Sequence, residues 1–332
     1  MDTPLPREQR TIATAIGAEW SRTVLDPTVR SRIARIGELV ELASASDERL
    51  AEASVLVTGW GAPRLGATVL DRLPRLELVL HAAGSVHHLV TPELWARGIR
   101  VVTAAEANAR AVVDFTVSHV HLALKNTLRL GMSSARTRRV AQRQGVRGLD
   151  GAVVGLVGLG RIGRLVASAL RPLDVRVVAY DPYADPAECR AAGVELTTLD
   201  RLLEVSDVVS LHAPLTDSTR GMLRGDDLAR LAASATLINT ARGGLVDHDD
   251  LARTLQARPD LFAVLDVTEP EPLPAGHPLL QLDNVFLTPH IAGSLGTEEA
   301  RLGHAVVDDL ERWLSGLPLE HETREEHLVL SA

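Results

Sequence analysis

The stretch Val153–Ala169 reads VVGLVGLGRIGRLVASA, and shortly after it VRVVAYD ends at Asp181. The first half is apolar on consecutive residues, as in a strand covered on both faces, and the second half has amphipathic helical spacing. Between them Gly158, Gly160 and Gly163 form G-x-G-x-x-G. Alone, such a match is weak. Here a strand precedes it, a helix follows, and a second strand closes on an acidic residue 23 positions after Gly158. That is the βαβ setting of a dinucleotide site. Gly158 permits the tight turn, Gly160 lets backbone approach a pyrophosphate, and Gly163 allows close helix–strand packing. Arg161 and Ile162 open the helix, whose free N–H groups and positive dipole end attract phosphate. Asp181 is placed to accept hydrogen bonds from the adenosine ribose and would repel a 2′-phosphate, so the expected cofactor is NAD rather than NADP.

Similar apolar runs occur at Ser54–Thr58, Leu76–Leu80, Arg100–Thr103, Val175–Tyr180, Asp207–Leu211, Thr236–Asn239, Ala263–Val267 and Val285–Leu287. They alternate with helix-length segments, which predicts parallel sheets with right-handed crossovers. The strands fall into two sets, separated by Glu106–Leu130, where Val113, Val117, Val120 and Leu124 share one helical stripe. A last helix is expected at Thr297–Leu314. The predicted fold is therefore α/β with two doubly wound parallel-sheet domains, which suits a chain of 332 residues.

Composition narrows the chemistry. A net charge of −8 provides no global field for nucleic acid or anionic membrane. Lys125 is the only lysine, which disfavours a P-loop or a lysine Schiff base. The single cysteine, Cys189, excludes an intrachain disulfide and a cysteine-cluster zinc site. No metal is expected despite twelve histidines. His87 and His88 point to opposite sides of an extended backbone, and His119 and His121 do not share a helix face. Ala135–Arg147 carries five arginines without interleaved aromatics and reads as a solvated or subunit-contacting segment. With no spanning apolar run and no hydrophobic signal core at the start, the expectation is a soluble, cytoplasmic protein.

Three further segments each follow a strand: His212-Ala213-Pro214-Leu215-Thr216, Asn239-Thr240-Ala241-Arg242-Gly243-Gly244 and Thr288-Pro289-His290-Ile291-Ala292-Gly293. Leu265-Asp266-Val267-Thr268-Glu269-Pro270-Glu271-Pro272 lies between the last two. Ligands bind outside the carboxyl ends of open α/β sheets, so Arg242, Glu271 and His290 are candidates to converge there. A guanidinium clamps a carboxylate with two charge-assisted hydrogen bonds, and a histidine moves a proton on or off a carbonyl oxygen.

In this order, from the glycine fingerprint to T-P-H-I-A-G, the segments resemble the D-isomer-specific 2-hydroxyacid dehydrogenase family. The resemblance runs from about residue 50 to the last helix. It implies an NAD-dependent oxidoreductase interconverting a 2-oxo acid and a D-2-hydroxy acid, with Arg242, Glu271 and His290 catalytic. It places Asp266 near the nicotinamide carboxamide, Thr240, Ala241, His290 and Gly293 beside that ring, and His212, Pro214 and Thr219 in a loop over the cofactor. Gly84, Ser85 and Val86 match a loop whose N–H groups hold the substrate carboxylate, joined by Arg242 and His290; Trp60 is a further candidate lining residue. It also implies a Rossmann cofactor domain at 106–294, a flavodoxin-like substrate domain at 1–105 completed by 295–332, an active site in the cleft between them, and a homodimer.

Glu269 and Glu271 compete for one role. The family spacing after the aspartate favours Glu271 and leaves Glu269 as a solvated loop charge. There are departures: Ser85 replaces a glycine, His87-His88 follow Val86, Asp114 stands where glutamate is usual after Asn108, and Thr268 where an aromatic is common. The resembling formate enzymes carry glutamine at the Glu271 position, which disfavours formate oxidation. No added regulatory domain is expected. The rival reading is an NAD(H)-sensing binding protein similar to the C-terminal-binding corepressors.

Overall fold

The computed structural model of the protein describes residues 10–143 and 145–328. They form two compact units. One comprises the described residues up to Arg110 together with those from Ser294 onward; the other is Ala111–Gly293.

The first unit holds β1 (Thr11–Ala15), β2 (Glu38–Glu41), β3 (Ala53–Thr58), β4 (Leu78–His81) and β5 (Arg100–Thr103). They pair in parallel in the order β2-β1-β3-β4-β5, the flavodoxin-like order, and a short strand Glu322–Thr323 runs antiparallel on β5. Side chains alternate across this sheet. Val55 and Val57 of β3, with Leu78 and Leu80 of β4, face the helix Glu299–Leu314, which buries Leu302, Val306, Val307 and Leu310 on them. Leu56 and Val79 face the opposite core. Burial of each such side chain stabilises by about 1.5–3 kcal/mol. Asp309, fully buried on that helix, accepts N–H bonds from Glu320 (2.6 Å) and His321 (3.1 Å) and so fixes the chain entering the last strand.

The second unit holds β6 (Ala152–Val157), β7 (Val175–Tyr180), β8 (Val194–Leu196), β9 (Val208–Leu211), β10 (Thr236–Asn239), β11 (Phe262–Leu265) and β12 (Val285–Leu287). All are parallel, in the order β8-β7-β6-β9-β10-β11-β12, so the strand order reverses between β6 and β9. Tyr180, Val157, Leu211, Asn239, Leu265 and Leu287 stand in register across the sheet. Asp181, Gly158, His212, Thr240, Asp266 and Thr288 therefore leave the sheet along one edge.

Two sequence expectations change. The helix predicted over Glu106–Leu130 is two, Ala105–Leu124 and Thr127–Thr137, because Asn126 takes a left-handed conformation (φ +52°) just where the apolar stripe ends at Leu124. The helix expected at Thr297–Leu314 begins at Glu299 after a 3₁₀ turn, Gly296–Glu298, and a short one, Glu325–Leu328, follows it. The arginine-rich stretch leaves the helix at Thr137 with Val140 95 % exposed, while Arg136 and Arg147 pair with Asp283 and Asp207. No helix among the described residues is long and apolar enough to cross a membrane.

Candidate active site

The fingerprint turn sits at the point where the strand order reverses. Gly158 has φ +97°, and a Cβ there would come within 2.7 Å of the Ala213 nitrogen. A Cβ on Gly163 would overlap the Gly158 carbonyl oxygen, whereas one on Gly160 meets nothing within 4 Å. The helix Arg161–Leu170 has no side-chain N-cap, so its first N–H groups open beside Gly160. An uncapped helix start with open space before a glycine fits a pyrophosphate. Arg161 is exposed and Ile162 half-buried. Asp181 accepts from Leu159 N–H at 2.7 Å and Tyr183 N–H at 2.8 Å, which ties its carboxylate to this turn.

Across the reversal point, His212 is buried with Nε2 3.0 Å from Ser210 Oγ. Burial lowers its pKa to about 4, so it is a neutral residue shaping the loop rather than a proton carrier at neutral pH. The loop after it closes through Thr219, whose hydroxyl donates to the Pro214 carbonyl (2.6 Å) and accepts from Thr216 N–H (2.8 Å). Thr240 is buried against Thr116.

The β10 end is shaped by Asn239, to which the sequence reading gave no role. Its Oδ1 accepts from Ala241 N–H (3.0 Å) and its Nδ2 donates to the Arg242 carbonyl (2.9 Å), so one buried amide clasps both sides of the turn. Arg242 is half-buried, with Nη1 donating to the Ala241 carbonyl at 2.7 Å. Among the described residues no carboxylate lies within ion-pair distance of it. Burial pulls its pKa down and the charge of Glu271 opposes that.

Asp266, at the end of β11, is buried and folds the neighbouring loop. Its Oδ1 accepts from Thr288 Oγ1 (2.5 Å) and Ile291 N–H (2.8 Å), its Oδ2 from Ala292 N–H (2.9 Å), and its carbonyl from His290 N–H (2.9 Å). His290 is held at φ +55°, with Gly293 three residues further along. Its Nδ1 lies 2.7 Å from Glu271 Oε1, and both side chains are substantially exposed. A proton on Nδ1 donated to Glu271 leaves Nε2 on the far side of the ring. Glu269 is ion-paired instead with Arg220 at 2.5 Å. A Cβ on Gly244 would collide with the Glu269 carboxylate, so the Arg242 turn is packed flush on the loop leading to Glu271. Thr268 is half-buried and its hydroxyl donates to the Pro270 carbonyl.

In the first unit, Ala82 N–H donates to the Thr58 carbonyl (2.8 Å), and the chain then enters Gly84-Ser85-Val86. Among the described residues, the N–H groups of these three donate to no backbone carbonyl. The Val86 side chain is core, so only its backbone is available. Asn108 Oδ1 accepts from Ser294 N–H at 2.8 Å, and its amide packs on Gly84. Trp60 is half-buried with its ring 5.8 Å from Trp20. Asp114, His87 and His88 are exposed. Among the described residues no three His, Cys, Asp or Glu side chains are grouped as a metal site.

A doubly wound sheet with an uncapped glycine turn at its reversal point defines a dinucleotide-binding α/β protein, here with arginine, glutamate and histidine along the same edge. Residues 118–292 match the NAD binding domain of the D-isomer specific 2-hydroxyacid dehydrogenases, and the chain belongs to that family. It is 32 % identical over 303 residues to D-3-phosphoglycerate dehydrogenase of Mycobacterium leprae (strain TN), covering 88 % of this chain and 56 % of that protein. The chain thus spans about half the length of that relative. It is 34 % identical over 271 residues to glyoxylate reductase of Thermofilum pendens (strain DSM 2475 / Hrk 5), covering 76 % of each. Its fold matches the NAD-complexed D-isomer specific 2-hydroxyacid dehydrogenase of Lactobacillus delbrueckii ssp. bulgaricus with a TM-score of 0.79, at 22 % identity, over 94 % of this chain and 100 % of that one.

Proposed function

We propose that the protein is an NAD-dependent oxidoreductase that interconverts a 2-oxo acid and the corresponding D-2-hydroxy acid. The observation that carries this reading is a half-buried guanidinium, Arg242, without a carboxylate partner among the described residues, in the same unit as a hydrogen-bonded Glu271–His290 pair. A positive group held in this way is matched by an anionic ligand, and its planar fork suits a carboxylate.

The roles follow from the chemistry of the reduction. Arg242 binds the substrate carboxylate, each charge-assisted hydrogen bond contributing about 1.5–3 kcal/mol. In the first unit the unspent N–H groups of Gly84, Ser85 and Val86 form a carboxylate-binding loop, with Trp60 a further substrate-lining residue. Bound NAD(H) supplies or accepts the hydride at the carbonyl carbon. Charge then builds on the carbonyl oxygen, and His290 Nε2 delivers the proton while Nδ1 stays bonded to Glu271. In the oxidation the same nitrogen removes it. Glu271 is a positioning residue that fixes the ring and its tautomer. Gly158, Gly160, Arg161, Ile162 and Gly163 hold the pyrophosphate, and Asp181 reads the ribose. Asp266, Thr240, Ala241 and Gly293 frame the nicotinamide side, with His212, Pro214 and Thr219 forming the loop over it. A homodimer belongs to the same proposal.

The test is NADH oxidation, followed by absorbance, with glyoxylate, hydroxypyruvate, pyruvate and bulky branched or aromatic 2-oxo acids. Turnover of at least one acid, with D-stereochemistry in the product, is the expected result. Tight NADH binding with no turnover across the panel would replace this reading by that of an NAD(H) sensor.

A further inference from the structure

His81 ends β4 directly beside Thr58, the last residue of β3. Its side chain is fully buried, and Nδ1 lies 2.9 Å from Thr58 Oγ1. Nε2 is equally buried and has no hydrogen-bond partner. Buried side-chain polar atoms are nearly always paired, so an orphan in a folded protein calls for an explanation. The chain runs from this ring straight into Gly84-Ser85-Val86. Ala82 N–H is anchored on the Thr58 carbonyl, the Ala83 carbonyl on Ala104 N–H (3.1 Å), and Val86 in the core. Between these anchors Gly84 and Ser85 form no backbone–backbone hydrogen bond among the described residues. Burial, aided by the His88 ring 5.8 Å away, depresses the His81 pKa to about 3, so the ring is neutral; the Ser85 backbone acts in the opposite sense. The orphaned Nε2 and the unpaired backbone of Gly84 and Ser85 thus lie within a few residues of each other, the ring without an acceptor and the loop carbonyls without a backbone donor among the described residues.

We propose that His81 is a positioning residue for the substrate loop: Thr58 donates its hydroxyl proton to Nδ1, and the Nε2–H tautomer directs its proton at the Ser85 carbonyl. Holding that carbonyl inward turns the N–H groups of the loop outward, toward the anion. A neutral tautomer has one donor and one acceptor nitrogen; Thr58 uses the acceptor, and the Ser85 carbonyl is the acceptor that the unpaired Nε2–H calls for. The inference rests on the reading of Gly84–Val86 as a carboxylate site. The sequence offers no hint of it, since His81 lies in an apolar run and resembles any core residue there.

The test pairs kinetics with spectroscopy. The Thr58→Val/His81→Leu double variant replaces both partners by apolar groups, which keeps the fold because neither partner is left unpaired. With glyoxylate or the best acid of the panel, its KM rises about tenfold, the loss of roughly one hydrogen bond's worth of loop order, while kcat changes by less than about threefold. NADH affinity and melting temperature stay at wild-type values. His81→Gln, whose amide nitrogen reaches the Nε2 position, recovers most of the lost affinity. An unchanged KM in the folded double variant overturns the proposal, as does a glutamine variant no better than the double one. Histidine ¹⁵N spectra provide a readout that needs no turnover. Among the imidazoles that stay neutral from pH 8 to about 5, the one in the Nε2–H form that disappears in His81→Gln is that of His81. A titrating ring, or the Nδ1–H tautomer, overturns the assignment. Absence of turnover in the wild type would count against the dehydrogenase reading instead, and the spectra would still decide His81.

Discussion

At the residue scale, the arginine and the histidine of the site are separable by what their loss changes. Arg242 offers a planar fork that lysine lacks. Arg242→Lys is expected to lower kcat/KM about 10–100-fold, the value of one charge-assisted hydrogen bond, with most of the change in KM. Wild-type kinetics in that variant would remove Arg242 from carboxylate binding. His290→Asn keeps a polar group but no proton of suitable acidity. Its kcat is expected to fall about 10²–10⁴-fold while NADH affinity, measured by fluorescence titration, is unchanged. Surviving turnover would require another proton donor. The positions of Arg242 and His290 were legible in the sequence because each follows a strand inside a distinctive segment. Their supports were less so. Glu269 reads as a loose charge because nothing near it in sequence reveals Arg220, 49 positions away, as its ion-pair partner. Asn239 reads as part of a turn, since its double clasp on Ala241 and Arg242 depends on a backbone path that composition does not encode.

At the scale of elements, the fingerprint glycines are expected to differ in whether a methyl group disturbs the fold or the bound cofactor. Gly163 packs against the Gly158 carbonyl, so Gly163→Ala is expected to destabilise the second unit by about 1–3 kcal/mol, as overpacking does. Gly160 has φ −67° and open space where a Cβ would stand. Gly160→Ala should therefore leave the melting temperature within error while weakening NADH binding, because the methyl occupies the approach to the helix start. Unchanged NADH affinity in a stable Gly160→Ala variant would show that the open side is not where the dinucleotide lies. The same contrast explains which elements could be read. Strands buried on both faces, such as Val153–Val157 and Thr236–Asn239, announce themselves by consecutive apolar residues. Thr11–Ala15, Glu38–Glu41, Val194–Leu196 and Glu322–Thr323 escaped the reading. The last three are short edge strands or lie next to an edge with glutamates in them, and the first mixes threonine with alanine. Their pairing is decided by neighbours distant in sequence rather than by their own pattern.

At the scale of the whole molecule, the buried histidines set how the fold responds to acid. His81 in the first unit has its pKa lowered to about 3, His212 in the second to about 4, and His248, also in the second, is lowered as well, in each case chiefly by burial. An unfolded chain protonates these rings as pH falls through about 6.5, while the folded units protonate them at lower pH, His81 and His212 only near about 3 and 4. The unfolded state then binds more protons, so stability is complete above about pH 6.5 and declines as pH drops, by about 1.4 kcal/mol per pH unit each for His81 and His212, with His248 acting in the same direction. Carboxylates held low by ion pairs, such as Asp260 beside Arg258 and Glu322 beside Arg100, act in a separate window. Their contribution is present above about pH 4 and is lost only below it. Calorimetry between pH 7.5 and 5 therefore isolates the histidines. Both units are expected to melt at lower temperature at pH 5 than at 7.5, with net proton uptake on unfolding in each, whether they melt together or apart. In Thr58→Val/His81→Leu the first unit should lose about one proton of that uptake and the second none. A melting temperature flat across this range, or an uptake untouched by the double variant, would mean that these rings are already charged in the folded protein.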